Sequence, residues 1–90
     1  YRFSIGDRII KELYDVLENL IQVQYKTHKL PDLESINIKL ELLRYQTRLL
    51  LDFNVLENDR YDDVIQNINS IGIDLGNWIK QQQHLMAELN

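Results

Sequence analysis

Two arginines, Arg44 and Arg48, are the residues of this sequence whose type and spacing most favour a binding function. Residues four apart in a helix lie on the same face, so the two guanidinium groups would point in one direction. Such a pair can clamp phosphate groups or the carboxylates of a partner protein. Glu41 and Asp52 lie about one helical turn before and after the pair. The alternative interpretation is therefore a solvated strip of weak surface ion pairs, each worth about 0–1 kcal/mol.

Three further cations are weaker candidates for contacts with anions. Arg8 and Lys11 lie near the start of the first predicted helix, and Lys80 lies in the second half of the last one. Lysine and arginine side chains that neutralise phosphates supply the sequence-independent part of nucleic-acid binding. For each of these residues alone, a solvated surface position is the alternative.

The residues that perform catalysis or bind metals are sparse or badly spaced. The chain has no cysteine, and its two histidines, His28 and His84, have no second ligand at a metal-binding spacing. No serine has a nearby histidine to act as its base, and no carboxylate lies on an apolar helix face where burial would activate it. The sequence therefore predicts a protein that is not an enzyme and binds no metal or cofactor.

The composition of the chain is that of one small globular domain spanning residues 1–90. Apolar residues make up 44% of the chain and charged residues 27%, and the net charge is −4. This charge argues mildly against a general nucleic-acid binder, which usually carries a basic excess. No apolar run approaches the roughly 18 residues of a membrane helix, and no signal-peptide pattern is present. We therefore expect a cytoplasmic protein with no membrane partner.

Apolar residues at helical spacing predict three helices, at about residues 4–26, 32–53 and 58–86. The first begins at Ser4, a residue type that caps helices, and its apolar arc is wide enough for more than one neighbour. Pro31 disfavours helix at the residue before it and suits the first turn of the second helix. Because short connections join antiparallel neighbours, the sequence predicts an all-α, up-down antiparallel bundle.

The second predicted helix carries two apolar stripes on opposite sides. The first consists of Leu33, Ile36, Leu40, Leu43, Thr47 and Leu50, and the second of Ile38, Leu42, Tyr45, Leu49 and Phe53. Two opposed stripes predict a helix that is packed on both sides. Arg44 and Arg48 fall in a polar strip between the stripes, so we expect both to stay open to a partner.

Two glycines four residues apart, Gly72 and Gly76, lie inside the third predicted helix. Each destabilises a helix by about 1 kcal/mol relative to alanine, which is usually tolerated where backbones approach closely. The pair therefore predicts tight packing within the bundle or contact with a subunit or partner. Trp78 is expected to be an anchor in the core or at an interface, where its indole N–H needs an acceptor.

The chain resembles one protein family along about residues 3–83. The segments that carry the resemblance are FSIGDR at residues 3–8, KLP at 29–31, LELLRYQTRLLLDF at 40–53 and IGIDLGNWIK at 71–80. Together they are similar to the accessory variability determinant (Avd) proteins of bacterial and phage diversity-generating retroelements. They resemble more distantly the helical proteins encoded in 23S ribosomal RNA intervening sequences.

The resemblance implies a four-helix bundle that assembles as a ring-like homopentamer, with its first helix expected before the segment at residues 3–8. It also implies a non-enzymatic partner of the element's reverse transcriptase, binding that enzyme and RNA or cDNA during mutagenic copying of template RNA. In the family, the arginines of a Leu-Arg-aromatic-x-x-Arg motif are associated with reverse-transcriptase binding. The matching residues here are Arg44 and Arg48.

The charge of the chain leaves a second function open. Members of the family are typically basic, whereas this chain has a net charge of −4. The alternative is a structural helical oligomer of the intervening-sequence type that does not bind nucleic acid directly.

Overall fold

The computed structural model describes the backbone of residues 2–89 and the side chains of residues 7–89. Three helices follow one another along the chain: α1 (Arg2–Val23), α2 (Leu30–Asp52) and α3 (Asn58–Leu89). No strand occurs between residues 2 and 89, which confirms the all-α class. None of the three helices combines the length and apolar character needed to cross a membrane.

The ends of α1 differ from the predicted ones. The helix begins at Arg2, so Ser4 lies inside its first turn rather than at its cap, and the Ser4 side chain lies outside the described residues. It ends at Val23 rather than near residue 26. The reason is that the N–H groups of residues 24–26 donate to carbonyl oxygens three residues earlier, at 3.0–3.2 Å. Bonds of this spacing tighten the last turn into a 3₁₀ geometry.

The start of α2 also lies earlier than predicted, at Leu30 instead of residue 32. Lys29 is already in the right-handed helical region, and its carbonyl oxygen accepts a hydrogen bond from the N–H of Leu33 at 3.0 Å. Pro31 does not interrupt this turn, because the first N–H groups of a helix have no acceptor within it. Leu30 is therefore helical, contrary to the expectation from its neighbouring proline.

The turn after α2 is fixed by Asn54, which has a positive φ of 60°. Asparagine is one of the few residues that adopt this left-handed conformation readily. The N–H of Asn54 donates to the carbonyl of Leu51 at 3.0 Å, and that of Val55 donates to Leu50 at 2.9 Å. These paired bonds form a Schellman motif, which ends the helix and lets α3 run back along it.

The core lies where one face of α2 packs against both α1 and α3. Its buried apolar residues are Ile9, Leu13, Val16 and Val23 of α1, Leu33, Ile36, Leu40 and Leu43 of α2, and Val64, Ile68 and Leu75 of α3. Thr47 is buried beside them, and its hydroxyl donates to the carbonyl of Leu43 at 2.7 Å. The first stripe of α2 is thus the inner face of the bundle.

The second stripe of α2, which we call the outer face (Ile38, Leu42, Tyr45, Leu49 and Phe53), is mostly left open by α1 and α3, and only Leu49 is partly buried. The exposed fractions of Ile38, Leu42, Tyr45 and Phe53 lie between 57% and 71%. The prediction that α2 is packed on both sides is therefore not met within this chain, because both neighbouring helices lie against its inner face.

An open apolar groove separates α1 from α3 on the side of the core away from α2. Its volume is about 500 Å³. Its lining includes Ile10, Tyr14 and Leu17 of α1, all exposed, together with Val64 and Ile71 of α3. The wide apolar arc of α1 is therefore divided, with one half buried against α2 and the other facing this α1–α3 groove.

Candidate functional site

The polar strip of α2 (Asn37, Glu41, Arg44, Arg48 and Asp52) runs along the edge of the helix that borders α3. The Arg44 side chain is 35% exposed and that of Arg48 is 62% exposed. One edge of the strip adjoins the buried inner face of α2, and the other edge adjoins the exposed outer face. Both arginines are therefore accessible from solvent on one side of the bundle.

Each arginine is paired with a carboxylate of its own helix. Arg44 donates through Nη1 to Oε1 of Glu41, and Arg48 donates through Nε to Oδ1 of Asp52 at 3.1 Å. The two cations and two anions give the strip a formal charge of zero. Exposed pairs of this kind contribute about 0–1 kcal/mol each to stability, so a partner can replace them at little cost.

Helix α3 supports both guanidinium groups from the side. The Nη2 atom of Arg44 lies against Gly72, only 3.3 Å from where a Cβ would stand at that position. The pKa of Arg48 is raised above its ordinary value, chiefly by hydrogen bonding to Tyr61 and then by the charge of Asp52. Arg48 therefore stays charged at every pH at which the protein is folded.

The contacts also give the direction of α3 relative to α2. Arg48 interacts with Tyr61 near the start of α3, whereas Arg44, one turn earlier in α2, lies against Gly72 further along α3. The two helices are therefore antiparallel. The sequence does not predict that Tyr61 contacts the strip. Tyr61 falls in the apolar stripe of α3, and nothing in the sequence distinguishes it from the other residues of that stripe.

The arrangement of charges on the strip is better suited to a protein than to a phosphate backbone. Planar guanidinium groups bind carboxylates with two parallel hydrogen bonds. A polyanion laid along the strip would meet Glu41 and Asp52 as well as the two arginines, and like charges repel it. A protein surface can instead offer carboxylates to the arginines and donors to the acids.

The other predicted cations are not brought to this strip. Arg8 is paired with Glu12 at 3.4 Å, and both line a groove between α1 and the flank of α2 that carries Gln46 and Phe53. That flank lies across α2 from the strip. Lys80 is exposed and lies eight residues beyond Gly72, about 12 Å further along α3. Lys11 is exposed on α1. The five cations therefore form separate groups.

The two glycines of α3 have different surroundings. A Cβ at Gly72 would meet Arg44 Nη2 at 3.3 Å and Leu40 Cδ2 at 3.6 Å, whereas a Cβ at Gly76 would meet nothing within 4 Å. Close helix packing thus accounts for Gly72 but not for Gly76 within this chain. Trp78 is partly buried and packs against the core.

No group of three or more histidine, cysteine or acidic residues that could hold a metal ion is found in the part of the chain that the structure describes. The paired carboxylates of the strip, Glu41 and Asp52, are each bonded to an arginine. The chemistry that the strip supports is therefore recognition through ion pairs.

Comparison with known proteins gives one match. A family model described as bAvd-like covers residues 1–82, which include the whole polar strip, both glycines of α3, Trp78 and Lys80. Searches of curated proteins and of solved structures gave no significant match. The match confirms the resemblance to Avd proteins that the sequence motifs indicate. The chain belongs to the bAvd-like family.

Proposed function

We propose that this chain is a non-enzymatic accessory protein of a diversity-generating retroelement, which binds the element's reverse transcriptase and supports mutagenic reverse transcription. Membership of the bAvd-like family supports an accessory role of the retroelement kind. The observation that carries the docking site is the pair Arg44 and Arg48, one turn apart, open to solvent and supported by α3. On binding, both arginines exchange weak pairs within α2 for carboxylates of the enzyme.

The charge balance of the strip supports a protein partner at this site. Its two arginines are matched by Glu41 and Asp52, so the strip attracts no polyanion over long distances. Charge-assisted hydrogen bonds at a desolvated interface are nevertheless worth about 1.5–3 kcal/mol each. The strip is therefore selective at short range rather than generally basic.

The docking proposal is tested by replacing Arg44 and Arg48 together with alanine. We expect co-purification with the cognate reverse transcriptase to be lost, since two charge-assisted contacts represent about 3 kcal/mol or more, or at least about 100-fold in affinity. The matched control is Arg8→Ala with Lys11→Ala, which removes the same charge from α1 and should retain binding. A folded Arg44→Ala, Arg48→Ala variant that binds as tightly as the unmodified protein contradicts the assignment.

The outer face of α2 supports a homo-oligomer, for which the family resemblance implies a ring-like homopentamer. Four of its large apolar side chains, those of Ile38, Leu42, Tyr45 and Phe53, are more than half exposed on one side of one helix. Contiguous apolar surfaces of this kind mark interaction sites. We assign this face to contact with a second copy of the chain.

The α1–α3 groove supports the fourth helix of the bundle. It is lined by apolar side chains from both flanking helices and lies at the open corner opposite α2. An amphipathic helix seated there would cover Ile10, Tyr14 and Leu17 of α1 and complete the four-helix arrangement. This is the place we propose for the additional helix that the resemblance implies.

Nucleic-acid contacts in this proposal come from Arg8, Lys11 and Lys80, which are exposed and dispersed. We expect weak binding of single-stranded RNA, detectable at about 50 mM salt and lost by about 200 mM. Arg8→Ala with Lys11→Ala should lower the slope of log affinity against log salt by about 1.4. Lys26→Ala with Lys29→Ala, which changes the net charge equally, should leave the slope closer to its original value.

A structural helical oligomer without direct nucleic-acid binding is the second candidate, and the net charge of −4 favours it. Fluorescence anisotropy with labelled RNA separates the two. Phosphate-driven affinity is strongest at low salt, so an absence of binding at about 50 mM salt would support the structural oligomer.

A further inference from the structure

We propose that Gly72 is a positioning residue for Arg44, and that the missing Cβ at this position lets the Arg44 guanidinium lie against α3 in the orientation used for docking. The inference rests on the proposed function of the polar strip. It assigns a role to one glycine of α3 that its neighbour four residues later does not share.

The space above Gly72 is filled by the end of the Arg44 side chain. A Cβ at Gly72 would stand 3.3 Å from Arg44 Nη2, which is closer than the roughly 3.5–4.0 Å of an ordinary contact. The other near atom, Leu40 Cδ2, would be 3.6 Å away and needs no adjustment. An added methyl group would therefore push the guanidinium aside by a few tenths of an ångström and leave the contact between the two helices intact.

The other terminal nitrogen of the same guanidinium, Nη1, donates to Oε1 of Glu41. The group is thus held between a carboxylate on its own helix and the bare backbone of α3. A planar donor recognises a carboxylate well only when its plane and edges are correctly oriented. Gly72 supplies one of the two surfaces that set this orientation, and 35% of the side chain remains exposed for the partner.

Gly76 provides a matched control in the same helix. It has no heavy atom within 4 Å of the place where a Cβ would stand. Alanine is a better helix former than glycine at either position, so Gly76→Ala should raise the urea midpoint of unfolding. Gly72→Ala should raise it less, because the same gain is opposed by the displaced Arg44.

The test combines each glycine substitution with Arg44→Ala in the full-length protein. In that background the obstructing side chain is absent, so both alanines should raise the urea midpoint equally. In the protein that retains Arg44, Gly72→Ala should weaken binding to the cognate reverse transcriptase about 10-fold without lowering stability. Gly76→Ala should leave the affinity of the same protein unchanged. Gly72→Ala should have no further effect on affinity once Arg44 is gone.

Two results would overturn the proposal, and they are distinguishable. Equal midpoint shifts for the two glycine substitutions in both backgrounds would show that Gly72 does not hold Arg44, whatever the strip binds. Unequal shifts combined with reverse-transcriptase binding that is insensitive to Arg44→Ala would show that the docking assignment itself fails, and the docking role of Gly72 with it.

Discussion

Replacing Leu40 with alanine is expected to lower the free energy of unfolding by about 2–5 kcal/mol. Leu40 is fully buried in the middle of α2, on the face that packs against both other helices. Truncation removes apolar contacts and leaves a cavity that a small core closes only in part. Small domains have a total stability of about 5–15 kcal/mol, so the loss is a large share of it. Urea unfolding followed by circular dichroism measures the change.

The same substitution at Leu89 serves as its control. Leu89 is 86% exposed at the end of α3, so Leu89→Ala should change the free energy of unfolding by less than about 0.5 kcal/mol. If the two variants lost stability equally, Leu40 would not be part of a packed core, and the assignment of the inner face of α2 would be wrong.

The residues that share the inner face of α2 are predictable as one stripe, because their grouping depends only on helical geometry. Residues spaced three and four apart fall on one side of a helix with 3.6 residues per turn, and the longest such run in α2 contains Leu33, Leu40 and Thr47. All three are buried. The same rule places Val64, Ile68 and Leu75 of α3 in the core.

Contacts between residues of different helices cannot be predicted from the spacing of residues within one helix. The neighbours of Arg44 and Arg48 on α3 depend on how far the two helices slide along each other, and this is fixed by packing rather than by spacing within either helix. Gly72 and Gly76 give the same signal in sequence, yet only Gly72 lies against α2. Tyr61 is likewise one apolar position among several until the fold places it beside Arg48.

The ends of the helices depend on single residues, and local features explain why the observed ends differ from the predicted ones. Pro31 is compatible with a helix that starts at Leu30, because a proline in the first turn breaks no intrahelical bond. Asn54 carries the positive φ that ends α2, a role for which its residue type gives a usable signal. The outer face of α2 could not be predicted for another reason. The sequence predicts that this face is covered, but it does not tell whether the same chain or another one covers it.

Changing Ile38 to lysine is expected to convert the proposed homo-oligomer into a species with the molar mass of one chain. Ile38 is 63% exposed on the outer face, so the substitution should hardly change the stability of the single chain. In an interface between copies, the lysine ammonium would be buried without a partner in every contact, and such a charge costs several kcal/mol. Light scattering gives the molar mass, and circular dichroism checks that the helices remain.

A control at another exposed isoleucine shows whether loss of the oligomer is specific to the outer face. Ile73 of α3 is 66% exposed, almost the same as Ile38, but its neighbours one turn away, Asn69 and Asn77, are polar, whereas Ile38 adjoins Leu42. Ile73→Lys therefore adds the same charge at an isolated apolar site and should leave the oligomer intact. Dissociation by Ile73→Lys alone would move the interface to α3, because a general effect of added charge would act equally at both positions.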